Sequence, residues 1–208
     1  MERSNDAAVL CGIVAGKPVF SHAGREGAYD RFPLTVRRLS GAEDTVNVIA
    51  PEALLRGLEV SGQPRLRVTG EVRSFNNRSG GGPKLVITVL ARELAFTDGG
   101  FENDVRLTGA VCRAPTLRRT PMGRRICDLM LAVNRRCGRS DYLPCIVWGA
   151  QAESAARFPV GTAVRIRGRL QSRAYIKCLE DGSEERVAFE ISAAEIAAVQ
   201  QENEAAPR

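Results

Sequence analysis

Two stretches in the C-terminal half place side chains that could do chemistry on one surface. In Tyr142-Leu143-Pro144-Cys145-Ile146-Val147-Trp148, alternate residues point to opposite faces if the segment is a strand. Leu143, Cys145 and Val147 then fill a core, while Tyr142, Pro144, Ile146 and Trp148 face outward. In the segment from Val164, the residues Val164, Ile166, Gly168 and Leu170 read as inward. Arg165, Arg167, Arg169, Gln171, Arg173 and Tyr175 read as outward, with Lys177 continuing the series. A third stretch, Arg118, Arg119, Arg124 and Arg125, supplies a basic arm. Aromatic rings interleaved with guanidinium groups suit an unpaired nucleic-acid strand. Rings stack on exposed bases, worth ~1–3 kcal/mol per base in known single-strand binders. Arginines neutralise phosphates and release counterions.

Charge follows the same geography. The 208 residues carry 30 Lys plus Arg against 24 Asp plus Glu, a net charge of +6. Between residues 101 and 179 there are 15 basic and 5 acidic residues; from 180 to 208 there are 2 and 8. The basic excess therefore sits on the candidate binding surface. Lysine occurs only at 17, 84 and 177, so the positive side is almost all arginine, whose planar fork both grips phosphate and stacks.

Other chemistries lack material. His22 is the one histidine, in a turn-like Ser21-His22-Ala23-Gly24 segment, so His-based triads and His-rich metal sites are excluded. The cysteines at 11, 112, 127, 137, 145 and 178 form no C-x-x-C pair, and no disulfide framework is expected. Ser79-Gly80-Gly81-Gly82 lacks the Lys-Ser/Thr context of a phosphate-binding loop and reads as a hairpin tip. No catalytic residue, metal or cofactor is predicted. The sequence shows no signal-peptide core and no run approaching the ~18 apolar residues of a membrane span, so a cytoplasmic, nucleoid-associated setting without membrane contact is expected.

The elements that must hold this face emerge from an internal repeat. At an offset of 97, Leu10 meets Leu107, Gly12 Gly109, Val14 Val111, Pro18 Pro115, Leu34 Leu131, Val36 Val133, Arg38 Arg135, Asp44 Asp141 and Ile49 Ile146. The offset is 98 at Gly70/Gly168 and Ser74/Ser172, and 102 at Gly80/Gly182, Ala91/Ala193 and Glu93/Glu195. In the second copy, strands are predicted at Val105–Cys112, Ile126–Arg135, Tyr142–Trp148, Val164–Gln171 and Val187–Ile196. A loop carrying Pro115 and Gly123 follows the first strand. A helix is predicted over Ala150–Phe158, and a hairpin turn at Asp181-Gly182. The first copy follows the same order, with its helix at Pro51–Leu58. The order β-β-β-α-β-β predicts an all-β protein of two tandem five-stranded OB-fold barrels, each with a short helix between strands 3 and 4. The domains expected are residues 1–98, residues 102–199 and a disordered tail, 200–208.

The second copy resembles the bacterial single-stranded DNA-binding protein family over nearly its full length. The resemblance rests on Asn103-Asp104-Val105-Arg106-Leu107-Thr108-Gly109, Arg119-Thr120-Pro121-Met122-Gly123-Arg124 and Leu131-Ala132-Val133-Asn134-Arg135. It continues in Tyr142–Gly149 and in Gly168–Tyr175. It implies sequence-independent binding of single-stranded DNA in replication, recombination or repair, with Tyr142, Trp148 and Tyr175 stacking on bases. The nucleic-acid-binding set expected is these three with Arg118, Arg119, Arg124, Arg135, Arg167, Arg169, Arg173 and Lys177. Arg73 and Phe75 join from the first copy.

That copy matches more weakly: Thr45, Pro51 and Asn77 stand at the places of Tyr142, Trp148 and Tyr175, which leaves Phe75 as its ring on that face. Family members assemble with four OB folds, so a homodimer is implied. The end Gln200–Arg208 lacks the apolar-tipped acidic tail by which the family recruits repair enzymes. The alternative is an assembly factor resembling the primosome protein PriB, in which contacts with replication or primosome proteins outweigh those with DNA.

Overall fold

The computed structural model describes residues 5–24, 27–56, 58, 62–77, 83–179 and 182–199. The predicted tail, the Ser79–Gly82 tip and Asp181 of the predicted turn lie outside these residues. Among the described residues twelve strands and two short helices run β1 (Asp6–Val14), β2 (Val19–Gly24), β3 (Gly27–Arg37), β4 (Glu43–Pro51), α1 (Glu52–Leu55), β5 (Arg65–Asn76), β6 (Leu85–Phe96), β7 (Glu102–Val111), β8 (Thr116–Arg119), β9 (Arg125–Asn134), β10 (Ser140–Trp148), α2 (Ala150–Ala155), β11 (Ala163–Leu179) and β12 (Gly182–Ala198).

Each copy closes into a barrel. In the first, β1 pairs with β5 and with β3, β3 with β4, β5 with β6, and β4 closes on β6 in parallel. In the second, β7, β9, β10, β12 and β11 repeat the circuit, with β10 and β12 parallel. Inward alternation builds the cores: Leu10, Phe32, Leu34, Val46, Val48 and Val68 in one, Leu107, Leu131, Leu143, Val147, Ile166 and Ile191 in the other. Closure explains why the repeat conserves glycines. A Cβ on Gly109 would lie 2.4 Å from the Ala132 carbonyl oxygen, and one on Gly12 equally close to that of Thr35. There β7 and β1 bend from one neighbour to the next, so only a bare backbone fits.

Four local expectations change. The loop after β7 contains β8, which pairs with β9 from Thr116/Asp128 to Arg119/Arg125, and β2 is its counterpart in the first copy. His22 thus lies on a strand, not in a turn. The helices, Glu52–Leu55 and Ala150–Ala155, are shorter than predicted. β11 and β12 run on past the barrel as a long ribbon, paired from Val164/Ala198 to Leu179/Gly182.

The barrels form one continuous sheet, because β1 pairs antiparallel with β7 from Asp6/Leu107 to Cys11/Glu102. Ala8 pairs with Val105, its own equivalent at offset 97. The flanking pairs Ala7/Arg106 and Val9/Asp104 exchange under the same offset. A local twofold therefore passes through Ala8/Val105, and the central contact across the junction occurs twice.

That contact is a clasp. Asp44, fully buried, accepts from Ser172 N–H at 2.6 Å and from its hydroxyl at 2.7 Å, while Arg38 forks onto Asp44 and donates to the Ser172 carbonyl at 2.8 Å. In the mirror copy Asp141, also fully buried, accepts from Ser74 N–H at 2.6 Å. Arg135 forks onto Asp141 and donates to the Ser74 carbonyl at 3.1 Å. Burial alone would raise the Asp44 pKa; the bonds from Arg38 and Ser172 outweigh it and hold the carboxyl below its ordinary value. Such a group adds stability above its unfolded pKa and loses it as pH falls through the folded one.

Gly109→Ala is expected to lower stability by about 1–3 kcal/mol, the cost of forcing packed backbone apart. Equilibrium denaturation in urea measures it, and Gly123→Ala, where an added Cβ meets nothing within 4 Å but φ is +78°, serves as a strain-only comparison.

Candidate nucleic-acid interface

The strand carrying Tyr142 and Trp148 alternates nearly as predicted. Leu143, Cys145 and Val147 are buried, Tyr142 is 52% exposed and Trp148 37%. Ile146 is the exception: predicted outward, it is buried beneath the face. Trp148 is held in place by its indole N–H, which donates to Ser192 Oγ at 3.1 Å. The ring therefore presents a fixed plane to solvent. Tyr142 stands six residues away along β10, about 20 Å at strand rise, and its amide donates to Ser74 Oγ at the junction. Tyr175 lies out on the β11–β12 ribbon, half-buried, with the Arg173 guanidinium 5.8 Å from its ring centre. Lys177 sits further along the same ribbon.

The arginines divide into two groups. Arg119, Arg124 and Arg169 are exposed and have no acidic partner among the described residues. Arg118 pairs with Asp128, Arg167 with Asp104 at 2.9 Å and Arg173 with Glu190 at 3.5 Å, so each brings less net charge than its type suggests. Arg124, Arg169 and Trp148 meet in one cleft of about 500 Å³, to which the other barrel contributes Arg38. Arg167 and Arg169 continue into an adjoining cleft of about 530 Å³ beside Arg37.

Two predicted site residues belong elsewhere. Arg135 is committed to the clasp. Arg73, only 15% exposed at its side chain, bridges Asp6 at 3.2 Å, Asp141 at 3.3 Å and Glu71. Arg135 spends its charge on Asp141 of its own barrel and Arg73 reaches the same Asp141 across the junction, a convergence that no pattern along a single strand could reveal. Gln171, predicted outward, is also buried, and its amide donates to Glu190, its cross-strand neighbour on β12.

The first barrel holds rings that the position-by-position comparison missed. His22 on β2 stacks on Tyr29 of β3, centroids 4.9 Å apart and planes within 4°. Both border a cleft of about 490 Å³ with Phe75, which is 48% exposed. They come from the hairpin, not from the strand equivalent to β10; alternation across Gly24 and Gly27 was the available signal.

One repeat pair differs in a telling way. Asn103 makes a two-way contact with Leu170, accepting its N–H at 2.9 Å and donating to its carbonyl at 2.7 Å. Its equivalent is Asp6, which accepts from Val72 N–H at 2.9 Å. Burial pushes the Asp6 pKa up to about 7, against the Val72 amide and Arg73 and with help from Glu71 and Asp141.

The same residues can be compared with known proteins. A model of the single-strand binding protein family matches residues 102–199. These residues are the second barrel, so the match to that family falls on one of the two barrels. The chain is similar to single-stranded DNA-binding protein 1 of Lactococcus lactis, 38% identical over 80 residues, which cover 35% of this chain and 53% of that protein. Single-stranded DNA-binding protein A of Bacillus subtilis is 39% identical over 80 residues, 35% and 46% of the two chains. The chain thus spans about half the length of the curated relatives it matches. Both barrels together share a fold with the wild-type single-stranded DNA-binding protein of Thermus aquaticus, with a TM-score of 0.76, 23% identity and coverage of 96% and 95%. The residues that match the family model are therefore the second of two barrels of one fold, and Tyr142, Trp148 and the arginines without an acidic partner among the described residues fall inside them. Among the described residues no helix is long and apolar enough to cross a membrane.

Two outcomes are expected. Arg135→Ala leaves Asp141 buried with a partner removed and should cost about 3 kcal/mol of unfolding free energy, read by chemical denaturation. Asp6→Asn acts with pH. Below about pH 4 the folded and unfolded carboxyls both hold the proton; between there and pH 7 only the folded one does, so stability falls as pH rises. Asp6→Asn should therefore stabilise little at pH 4 and by up to about 4 kcal/mol at pH 8, seen as a thermal midpoint that gains on wild type with rising pH.

Proposed function

We propose that this protein binds single-stranded DNA without sequence preference and without catalysis, in replication, recombination or repair. The observation that carries the reading is the Trp148 cleft: an exposed ring fixed by Ser192, with the unpaired Arg124 and Arg169 beside it. A base stacks on the indole while the guanidinium groups take the flanking phosphates. Tyr142 and Tyr175 extend the path over β10 and the ribbon, with Arg118, Arg119, Arg167, Arg173 and Lys177 along it. Phe75, with Tyr29 and His22, offers the first barrel's contribution. The names of the relatives support the same reading. Two copies of the chain would bring four barrels to one particle, in keeping with the assembly the family resemblance implies.

Titration of a fluorescent oligo-dT at several salt concentrations tests this. Binding should weaken with salt at a log–log slope of ~0.7 per phosphate neutralised, and Arg169→Ala should reduce the slope by about that amount. Trp148→Ala should weaken binding by ~1–3 kcal/mol. No binding near micromolar protein at low salt overturns the reading.

A further inference from the structure

One further cleft crosses the junction, and neither stacking nor the arginines of the second barrel's face account for it. It encloses about 410 Å³ between Asp6 of β1, Glu71 and Arg73 of β5, Arg92 of β6, and Arg135 and Arg136 just past β9. Its counterpart across the local twofold is the cleft of about 530 Å³ beside Arg37. Under the repeat, Asn103 stands there for Asp6, Arg169 for Glu71 and Leu39 for Arg136. The counterpart thus has an amide and a guanidinium where this cleft has two carboxyls.

Those carboxyls crowd one guanidinium. Arg73 Nη1 donates to Asp6 Oδ2 at 3.2 Å and to Asp141 Oδ2 at 3.3 Å, so two carboxyls draw on one nitrogen and lie close to each other. Nη2 of the same fork holds Glu71, which Arg92 also reaches at 3.0 Å. Asp141 is forked by Arg135 as well. On its other side, Asp6 Oδ1 accepts from Val72 N–H at 2.9 Å, and β7 brings the apolar Leu107 opposite it. Arg136 and Cys137 close the cleft from the turn after β9. Burial, with Glu71 and Asp141 adding to it, pushes the Asp6 pKa up to about 7 despite Val72 and Arg73.

The proton on Asp6 sets the charge of the cleft. With Asp6 ionised, three carboxylates meet Arg73, Arg92 and Arg135 one for one. With Asp6 protonated, the same three arginines face two carboxylates. Arg136 adds a further positive charge, exposed at the rim with no acidic partner among the described residues. The Arg92 side chain is half-exposed there too. An anion at the rim can therefore meet Arg92 and Arg136 without touching Asp6. It feels Asp6 as a like charge, and that repulsion vanishes when the carboxyl holds a proton.

We propose that the junction cleft seats a phosphate of the bound strand on Arg92 and Arg136, and that Asp6 takes up a proton as the phosphate enters. The inference rests on the strand-binding reading above. It adds a place on the strand's path that bridges the two barrels, and it makes the grip there respond to pH. Linkage gives the sign: a site that gains a proton on binding binds more tightly as pH falls.

The test titrates fluorescent oligo-dT at pH 6 and pH 8 and constant ionic strength, a window in which neither thymine nor the phosphodiester changes charge. Wild type should bind about threefold to tenfold more tightly at pH 6 than at pH 8, the effect of one partly linked proton. Asp6→Asn keeps an acceptor for Val72 and copies Asn103. It should bind at pH 8 as wild type does at pH 6 and lose most of that ratio. Any contribution of His22 is common to both proteins and does not separate them. Arg136→Ala, a change at an exposed position, should shrink the ratio and lower the salt slope at pH 6 by ~0.7. If oligo-dT binds but the ratio is equal in wild type and Asp6→Asn, or if Arg136→Ala keeps the wild-type ratio and slope, the cleft seats no proton-linked phosphate and the strand-binding reading stands. If oligo-dT binds at neither pH at low salt, the strand-binding reading itself fails. Should Asp6→Asn not fold, Arg136→Ala decides alone.

Discussion

A buried carboxylate needs donors on every side, and at the junction of the two barrels that need is met from the opposite barrel. Asp44 takes its amide and hydroxyl donors from Ser172; Asp141 takes its amide from Ser74. Each aspartate is also forked by an arginine of its own barrel, which in turn caps the partner serine's carbonyl. Neither barrel can satisfy its aspartate alone, because the serine comes from the other. With the β1–β7 ladder, this reciprocity fixes how the two barrels face each other. Buried pairs of this kind contribute more to geometry than to net stability, since desolvation offsets much of the attraction.

The clasp has consequences for the surface. It withdraws Arg73 and Arg135 from the pool of cations and brings Arg38 of the first barrel to the rim of the Trp148 cleft in the second. The cleft is thus a product of the tandem arrangement, although its ring and most of its guanidinium groups lie in one domain. The equivalent cleft in the first barrel is rimmed by Arg135 and Arg73, both paired with acids, and is lined by His22, Tyr29 and Phe75. Duplication has given two clefts at related places with different chemistry: one rich in available positive charge, the other in rings.

The duplication is not exact where it counts for protonation. Asn103 satisfies both backbone groups of Leu170, whereas the carboxylate at Asp6 can accept but not donate unless it holds a proton. The raised Asp6 pKa follows from that substitution in a dry place crowded by Glu71 and Asp141. A one-atom difference between repeat copies places a carboxyl with a raised pKa at one position of the junction and a neutral amide at its equivalent.

The sequence by itself determined the two barrels, their strand order and most of the inward and outward pattern, because these follow from local alternation, glycine spacing and a repeat that reads along the chain. It also placed Tyr142 and Trp148 on one exposed face. The short β2 and β8 escaped, since exposed four- to six-residue edge strands bury nothing and leave no alternation to read. The repeat even singled out Arg38/Arg135, Asp44/Asp141 and Ser74/Ser172, but without their roles. Only the tertiary structure decided which arginines are spent on buried aspartates and which face solvent. Arg38 and Arg135 meet their aspartates six residues away, but the groups that complete the clasp, the Ser172 and Ser74 carbonyls and the Asp141 reached by Arg73, lie 61 to 134 residues away, across a twofold junction that no single strand encodes. It decided also that Gln171 is buried, opposite Glu190 on β12, where alternation along β11 alone placed it outward.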